Sequence, residues 1–142
     1  MVNEMTDFGR LVKKASAQMT RHFNRFARYY HLTAVQMSLI DFLGLHRNQE
    51  ILQRDVEHEF LIRRSTASVL LHRMEKRGLI VRLPSRIDAR QRQVKLTAKS
   101  LQLEAVITNY MRHQQQRLER RFTPAEISLL NRLLMALIHF NQ

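Results

Sequence analysis

The sequence predicts a mainly helical fold with one small β-hairpin, and three observations predict it. Residues 63–96 run RRSTASVLLHRMEKRGLIVRLPSRIDARQRQVKL: a hydroxyl-bearing basic helix, a glycine stop, and two short β-runs flanking an arginine-rich turn. Only 3 Gly and 2 Pro interrupt 142 residues, so long helices dominate and each breaker marks a boundary. Apolar residues recur at three- and four-residue steps toward both ends of the chain. Helix, turn, helix and hairpin in that order make a winged helix-turn-helix, with helical arms before and after it.

The elements follow in sequence. From Asp7 to about Tyr30, the residues Phe8, Leu11, Val12, Ala15, Met19, Phe23, Phe26 and Tyr30 form one stripe of an amphipathic helix. Thr33-Ala34-Val35-Gln36 is a capping-box start, and the helix it opens runs to about His46, burying Leu39, Ile40 and Leu43. A short third helix is expected over about Gln53 to Phe60, with Val56 and Phe60 on one face. The fourth spans about Arg64 to Arg77 and stops at Gly78, which can take the left-handed conformation, while Lys76 and Arg77 suit the negative end of the helix dipole. Leu79 to Arg82 and Gln93 to Leu96 read as strands joined by a loop of about ten residues that contains Pro84, Ser85 and Asp88. Thr97 caps a long fifth helix to about Arg120, with Leu101, Ile107, Tyr110, Met111 and Leu118 facing a partner. Thr123-Pro124-Ala125-Glu126 starts the last helix with an N-cap threonine, proline at the first position and glutamate at the third. That helix carries Ile127, Leu130, Leu133, Leu134, Leu137 and Ile138.

Charge narrows the ligand. Residues 60–95 hold eight Arg and two Lys against Glu75 and Asp88 alone, a net charge of +8 out of +12 for the whole chain. Basic charge so concentrated is the footprint of a polyanion binder, because each neutralised phosphate releases condensed counterions. At 142 residues the chain suits one compact domain that buries about two thirds of its unfolded surface, with no room for a second independent core. Such a domain cannot also bury the apolar faces of both terminal arms, so the arms are expected to build a homodimer interface. With no cysteine there is no disulfide or thiolate metal site. No apolar run approaches the ~18 residues of a membrane span, and Glu4 and Asp7 stand where a signal peptide would be apolar. The expectation is a cytoplasmic protein. The 7 histidines include no pair at the four-residue spacing of a helical chelate, His22 and His31 coming nearest at nine, so no metal and no cofactor is expected. Without a glycine-rich phosphate loop, a serine elbow or paired carboxylates in an apolar setting, catalysis has no support.

These residues resemble the multiple-antibiotic-resistance (MarR) family of transcription regulators over roughly Leu32 to Ser100. Leu32-Thr33 with Gln36 opens the second helix; Gln53, Asp55 and Val56 mark the third; Ser65, Thr66 and Ser68 lie in the recognition helix. Met74 to Ile80 matches the turn into the wing, Asp88-Ala89-Arg90 the acid-x-arginine wing tip, and Val94-Lys95-Leu96-Thr97 the closing strand. The chain departs from the pattern at Leu61, where the turn usually has a small or polar residue such as glycine, and at Glu57, Ala67 and Ser100. The resemblance implies a single domain over 1–142, with a DNA-binding region at 33–97 and dimerisation arms at 1–31 and 98–142.

It further implies a homodimer whose two recognition helices, about 64–77, enter successive major grooves of a pseudo-palindromic double-stranded operator, while the wings, about 79–96, reach the minor groove. Near the helix start, Ser65, Thr66 and Ser68 can donate to phosphates or base edges, and Arg63, Arg64, His72 and Arg73 reach further. Arg73 and Arg77 suit phosphates. In the wing, Arg90 is the expected minor-groove residue, attracted by the negative potential of narrow A·T segments, with Arg86 and Arg92 on the backbone. Asp88 is expected to hold an arginine or the turn in position. The family also implies repression relieved by a small aromatic or anionic effector bound between arms and winged region, for which Phe26, Tyr30, His31, Met37, Phe42 and His46 are the candidates. Two alternatives from other classes remain: a nonspecific basic coat protein of the nucleoid type, and a winged-helix module for protein contacts. A membrane-surface role is opposed by the hairpin that breaks the basic segment.

Overall fold

A computed structural model describes residues 7–142; residues 1–6, which include Glu4 and the start of the expected 1–31 arm, lie outside the described residues. The order of elements is α1 (Phe8–Ala27), a 3-10 turn (Arg28–Tyr30), α2 (Ala34–Leu45), α3 (Gln53–Phe60), α4 (Arg64–Lys76), β1 (Ile80–Pro84), β2 (Arg92–Leu96), α5 (Ala98–Arg121) and α6 (Pro124–Phe140). The chain divides into two compact units, Met1–Ala105 and Val106–Gln142.

In the first unit the core is made by α2, α3, α4 and the hairpin: Met37, Leu39, Ile40, Val56, Leu71, Met74, Leu79, Ile80 and Val94 are each at most 2% exposed. The Asp7 carboxylate caps α1 by accepting from the Arg10 amide. The α1 stripe is exposed from Phe8 to Met19, and only near its end, at Ala27, is it buried. The α-helix stops there, three residues before the expected Tyr30, because the chain tightens into the 3-10 turn and His31 takes a left-handed φ of 57°. The capping box of α2 is present: Gln36 N donates to Thr33 Oγ1 at 3.2 Å and Thr33 N to Gln36 Oε1 at 3.0 Å. Asn24 of α1 adds a third bond, accepting from Ala34 N at 2.8 Å, so α1 is tied to the start of α2.

Two helix ends shape the helix-turn-helix. At the end of α3, Leu61 stands in the left-handed region (φ 50°, ψ 45°), with its amide and that of Ile62 returning to Glu57 and His58 carbonyls. That is the conformation a glycine adopts without strain, and here a leucine, 69% exposed, holds it. At the end of α4, Gly78 (φ 72°) closes the helix, with Gly78 N on Glu75 O and Leu79 N on Met74 O, both at 3.0 Å.

The hairpin is antiparallel, with register from Ile80↔Leu96 to Pro84↔Arg92. Its loop is residues 85–91, shorter than expected, because Ser85 N bonds Gln91 O at 2.9 Å and extends the pairing to Pro84. Proline fits there, at the end of the edge strand, where no amide donor is needed. Across the hairpin, Leu52 forms a bridge with Gln93, and Val94 N donates to Ile51 O at 2.7 Å. This isolated bridge is not legible in the sequence, since a single paired residue carries no periodicity. Thr97 caps α5 as expected, and Ser100 completes the cap: Thr97 N donates to Ser100 Oγ at 3.0 Å and Ser100 N to Thr97 Oγ1 at 3.3 Å. Thr97 Oγ1 also donates to Gly78 O at 2.6 Å, joining the end of α4 to the start of α5.

The first turns of α5 meet α2 through an unexpected polar cluster. Glu104 pairs with Arg47 and lies over Gly44, where a Cβ would meet its carboxyl group. Partial burial and the neighbouring Glu104 carboxylate raise the pKa of Asp41. In the second unit, α6 opens with the expected capping box, Thr123 N donating to Glu126 Oε1 at 3.0 Å and Glu126 N to Thr123 Oγ1 at 3.2 Å. Its apolar residues Leu129, Leu130, Leu133, Leu134, Met135 and Ile138 are all exposed. No helix among the described residues is long and apolar enough to cross a membrane.

Candidate nucleic-acid interface

Helix α4 buries one face and presents the other. Ala67, Leu70, Leu71 and Met74 are packed inward, which leaves Arg63, Arg64, Ser65, Thr66, His72, Arg73 and Arg77 exposed. The helix opens on Arg63 in extended backbone (ψ 157°) with no side chain capping it, so none of the three hydroxyls caps the first turn. Ser68 is half-buried, and its oxygen accepts from Gln53 Nε2 of α3 at 3.0 Å. Arg77 reaches back instead of outward, donating to Gln36 Oε1 at 3.2 Å and so bracing the end of α4 against the start of α2.

The wing is held by carboxylates at its base. Glu75 takes both Arg82 nitrogens, at 3.1 and 3.3 Å, and this pairing lowers the glutamate pKa. Glu50, between α2 and α3, accepts from Ser85 Oγ at 2.6 Å and from the Arg86 amide at 2.7 Å. Those two bonds, the hydroxyl first, lower the Glu50 pKa. Ser85 Oγ in turn accepts from the Ile87 and Asp88 amides. At the tip Asp88 accepts from the Arg90 amide at 3.1 Å and from its Nε at 3.3 Å, yet the Arg90 side chain stays 92% exposed. Arg86 and Arg92 are exposed beside it. Among the described residues, Arg63, Arg64, Arg73 and Arg92 have no ion-pair partner.

Between the start of α4 and the wing lies a cleft of about 450 Å³ lined by Leu52, Gln53, Arg54, Glu57, Arg64, Ser68, Arg82, Arg90, Gln91 and Arg92. Five of these are arginines and one is acidic. The structure thus brings Arg64, Ser68, Arg90 and Arg92 together across the helix and the wing. Arg54, Arg82 and Gln53 join them unanticipated; the charge of Arg54 was visible, but its place opposite the wing depends on the fold. A second, mainly apolar groove of about 480 Å³ runs between the start of α2 and α4, lined by Thr33, Val35, Gln36, Ser65, Thr66, Val69, Leu70 and Arg73. Thr66 and Arg73 face it rather than the wing.

The six effector candidates do not behave as one set. Met37 is fully buried on α2 and packs in the core. Phe26 and Tyr30 form one ring pair, with centroids 5.4 Å apart. Phe42 packs on His46 at 4.8 Å and on Phe60 at 6.1 Å. His31 is exposed at the left-handed end of the 3-10 turn. His46 lines a small cavity of about 140 Å³ with Leu43, Arg47, Gln49, Ile51, Val94, Lys95, Leu96 and Leu101. Among the described residues, no three His, Cys, Asp or Glu side chains converge as metal ligands would.

A family model described as the MarR family matches residues 31–91. No curated protein matches the chain. Among solved structures, the transcription regulator MarR from Oenococcus oeni PSU-1 is 44% identical, over 94% of this chain and 99% of that one, with a TM-score of 0.86. MepR of S. aureus in a complex with DNA is 21% identical over 99% of both chains, with a TM-score of 0.89, and the transcriptional regulator SlyA is 21% identical over 94% and 93%, with a TM-score of 0.82. The last two share the fold; the first shares nearly half its residues along nearly its whole length. With 44% identity along nearly the whole of both chains, and the family model falling on α2 to the wing loop, the chain belongs to the MarR family of transcription regulators.

Proposed function

We propose that the protein is a homodimeric regulator that binds double-stranded operator DNA in a sequence-specific way, as a repressor relieved by a small aromatic or anionic effector. The observation that carries the DNA reading is the arginine-lined cleft between α4 and the wing, flanked by an exposed helix face of hydroxyls and unpaired arginines. Cationic side chains fix register on phosphates, while Ser65, Thr66 and Ser68 supply the short donors that distinguish base edges. The MepR structure, solved with DNA, has the same fold. Dimerisation is supported by the exposed apolar side chains of both arms, among them Phe8, Leu11, Val12 and Met19 on α1 and Leu130, Leu133 and Leu134 on α6. Repression and its relief rest on family membership, with the cavity beside His46, Arg47 and Lys95 offering cationic and apolar walls suited to an organic anion.

Selection from random duplexes followed by footprinting tests this. Two protected half-sites about one helical turn apart are expected, retained in excess random DNA, from a species that sediments as a dimer at micromolar concentration. A monomer, or protection that random DNA abolishes, contradicts the proposal and favours a charge pad of the nucleoid type.

A further inference from the structure

Ile87 is the most exposed large apolar residue among the described residues, at 91%, and it lies in the loop of the arginine-rich wing. The loop that carries it is braced. Glu50 holds Ser85 Oγ and the Arg86 amide at 2.6 and 2.7 Å, and Ser85 Oγ receives the Ile87 amide at 3.1 Å and the Asp88 amide at 3.3 Å. Gln91 N closes the turn on Asp88 O at 2.9 Å. Backbone on both sides of Ile87 is therefore bonded, and a β-branched side chain has few rotamers left, so the side chain is aimed as well as exposed. The same wing carries Arg86, Arg90 and Arg92, all exposed. An exposed aliphatic group on a braced loop that also carries exposed guanidiniums matches a surface with apolar walls between lines of negative charge. A nucleic-acid groove has that chemistry; an apolar protein surface would leave the guanidiniums unpaired.

We propose that Ile87 is a minor-groove wedge: it seats against one base step and opens it beside Arg90, while Arg86 and Arg92 hold the flanking phosphates, so the wing selects sites by how easily that step deforms. Proteins that kink the duplex from the minor groove use isoleucine, leucine or phenylalanine in this way. Pyrimidine–purine steps unstack readily and stiff A-tracts do not, so the wing contact favours the former. Glu50 is the positioning residue, acting through Ser85 and the Arg86 amide. The inference rests on the DNA-binding reading above and adds a specificity-determining residue to it.

The test uses the full chain and the operator duplex selected by the wild-type protein, with a second duplex in which the step under the wing is replaced by an A-tract. Ile87→Ala should weaken operator binding about tenfold, the order expected when a buried aliphatic side chain is truncated. It should reduce the DNA bend measured by energy transfer between labelled ends and leave the slope of log K against log salt unchanged. Arg90→Ala, by contrast, should lower that slope by about one per chain. The wild-type penalty for the A-tract duplex should shrink several-fold in Ile87→Ala and in Glu50→Gln. Wild-type affinity for Ile87→Ala, an undiminished A-tract penalty, or a change in sedimentation in place of a change in DNA binding overturns the wedge and leaves the DNA-binding reading standing. Absence of any site-specific footprint for the wild-type protein removes that reading and the wedge with it.

Discussion

Replacing Thr97 by valine removes one oxygen and keeps the side-chain shape, which isolates the bond network where the recognition helix, the closing strand and α5 meet. The Thr97 amide keeps its bonds to Leu79 O at 3.3 Å and Ser100 Oγ at 3.0 Å in the variant. What disappears is the acceptor for Ser100 N at 3.3 Å and the donor to Gly78 O at 2.6 Å. An N-cap hydroxyl contributes about 1 kcal/mol, and a part-buried neutral hydrogen bond about 1 kcal/mol more. The loss should therefore be about 2 kcal/mol, or about 4–8 °C in Tm for a chain of this size. The assay is thermal and urea unfolding at one fixed protein concentration, because dimerisation makes the midpoint concentration-dependent. Thr97→Ser, which keeps the oxygen, should stay within about 1 kcal/mol of wild type. A Thr97→Val protein within about 0.5 kcal/mol of wild type would refute the reasoning.

Three other outcomes are expected. Arg90→Ala should weaken operator binding by about 1–3 kcal/mol in a gel-shift titration at fixed salt, and unchanged affinity would remove Arg90 from the interface. Leu133→Glu, at a position 50% exposed on α6, should shift sedimentation from dimer to monomer at micromolar concentration, since burying an unpaired carboxylate costs several kcal/mol in a dimer interface; an intact dimer would place that interface elsewhere. The Glu50 clamp has a defined pH window. Its folded-state pKa is depressed by the Ser85 and Arg86 bonds, so the clamp's contribution is complete above the ordinary glutamate value and is lost only as pH falls through the lower folded value. The Arg86 amide resonance should accordingly stay constant from neutral pH down to the ordinary glutamate range and move below it; a transition nearer neutrality would contradict the clamp.

Much of this architecture is legible locally because local chemistry determines it. The threonines at 33 and 123 each have a glutamine or glutamate three residues on, and both boxes form. Gly78 stops α4 for the reason a left-handed residue must. The same local reading fails at Leu61, where a leucine takes the glycine conformation because the turn, not the residue, sets the backbone. It fails more fully wherever function depends on residues distant in sequence. Glu50 and Ser85 are separated by 35 positions and Gln53 and Ser68 by 15, and no periodicity links either pair. The carboxylates Asp41 and Glu104 come together only through the packing of α5 on α2, so a search for nearby acidic pairs passes over them. Met37, a methionine among aromatics at helical spacing, is fully buried in the structure, a degree of burial that its spacing alone does not fix.

The central claim is that this basic surface distinguishes one DNA sequence from another. Its most direct measurement is the ratio of affinities for the selected operator and a scrambled duplex of equal length, taken across a salt series by fluorescence anisotropy. The account predicts a ratio of about 10³ or more at physiological salt, with both affinities falling as salt rises and the ratio surviving. A ratio within a few-fold of unity at every salt concentration would contradict it.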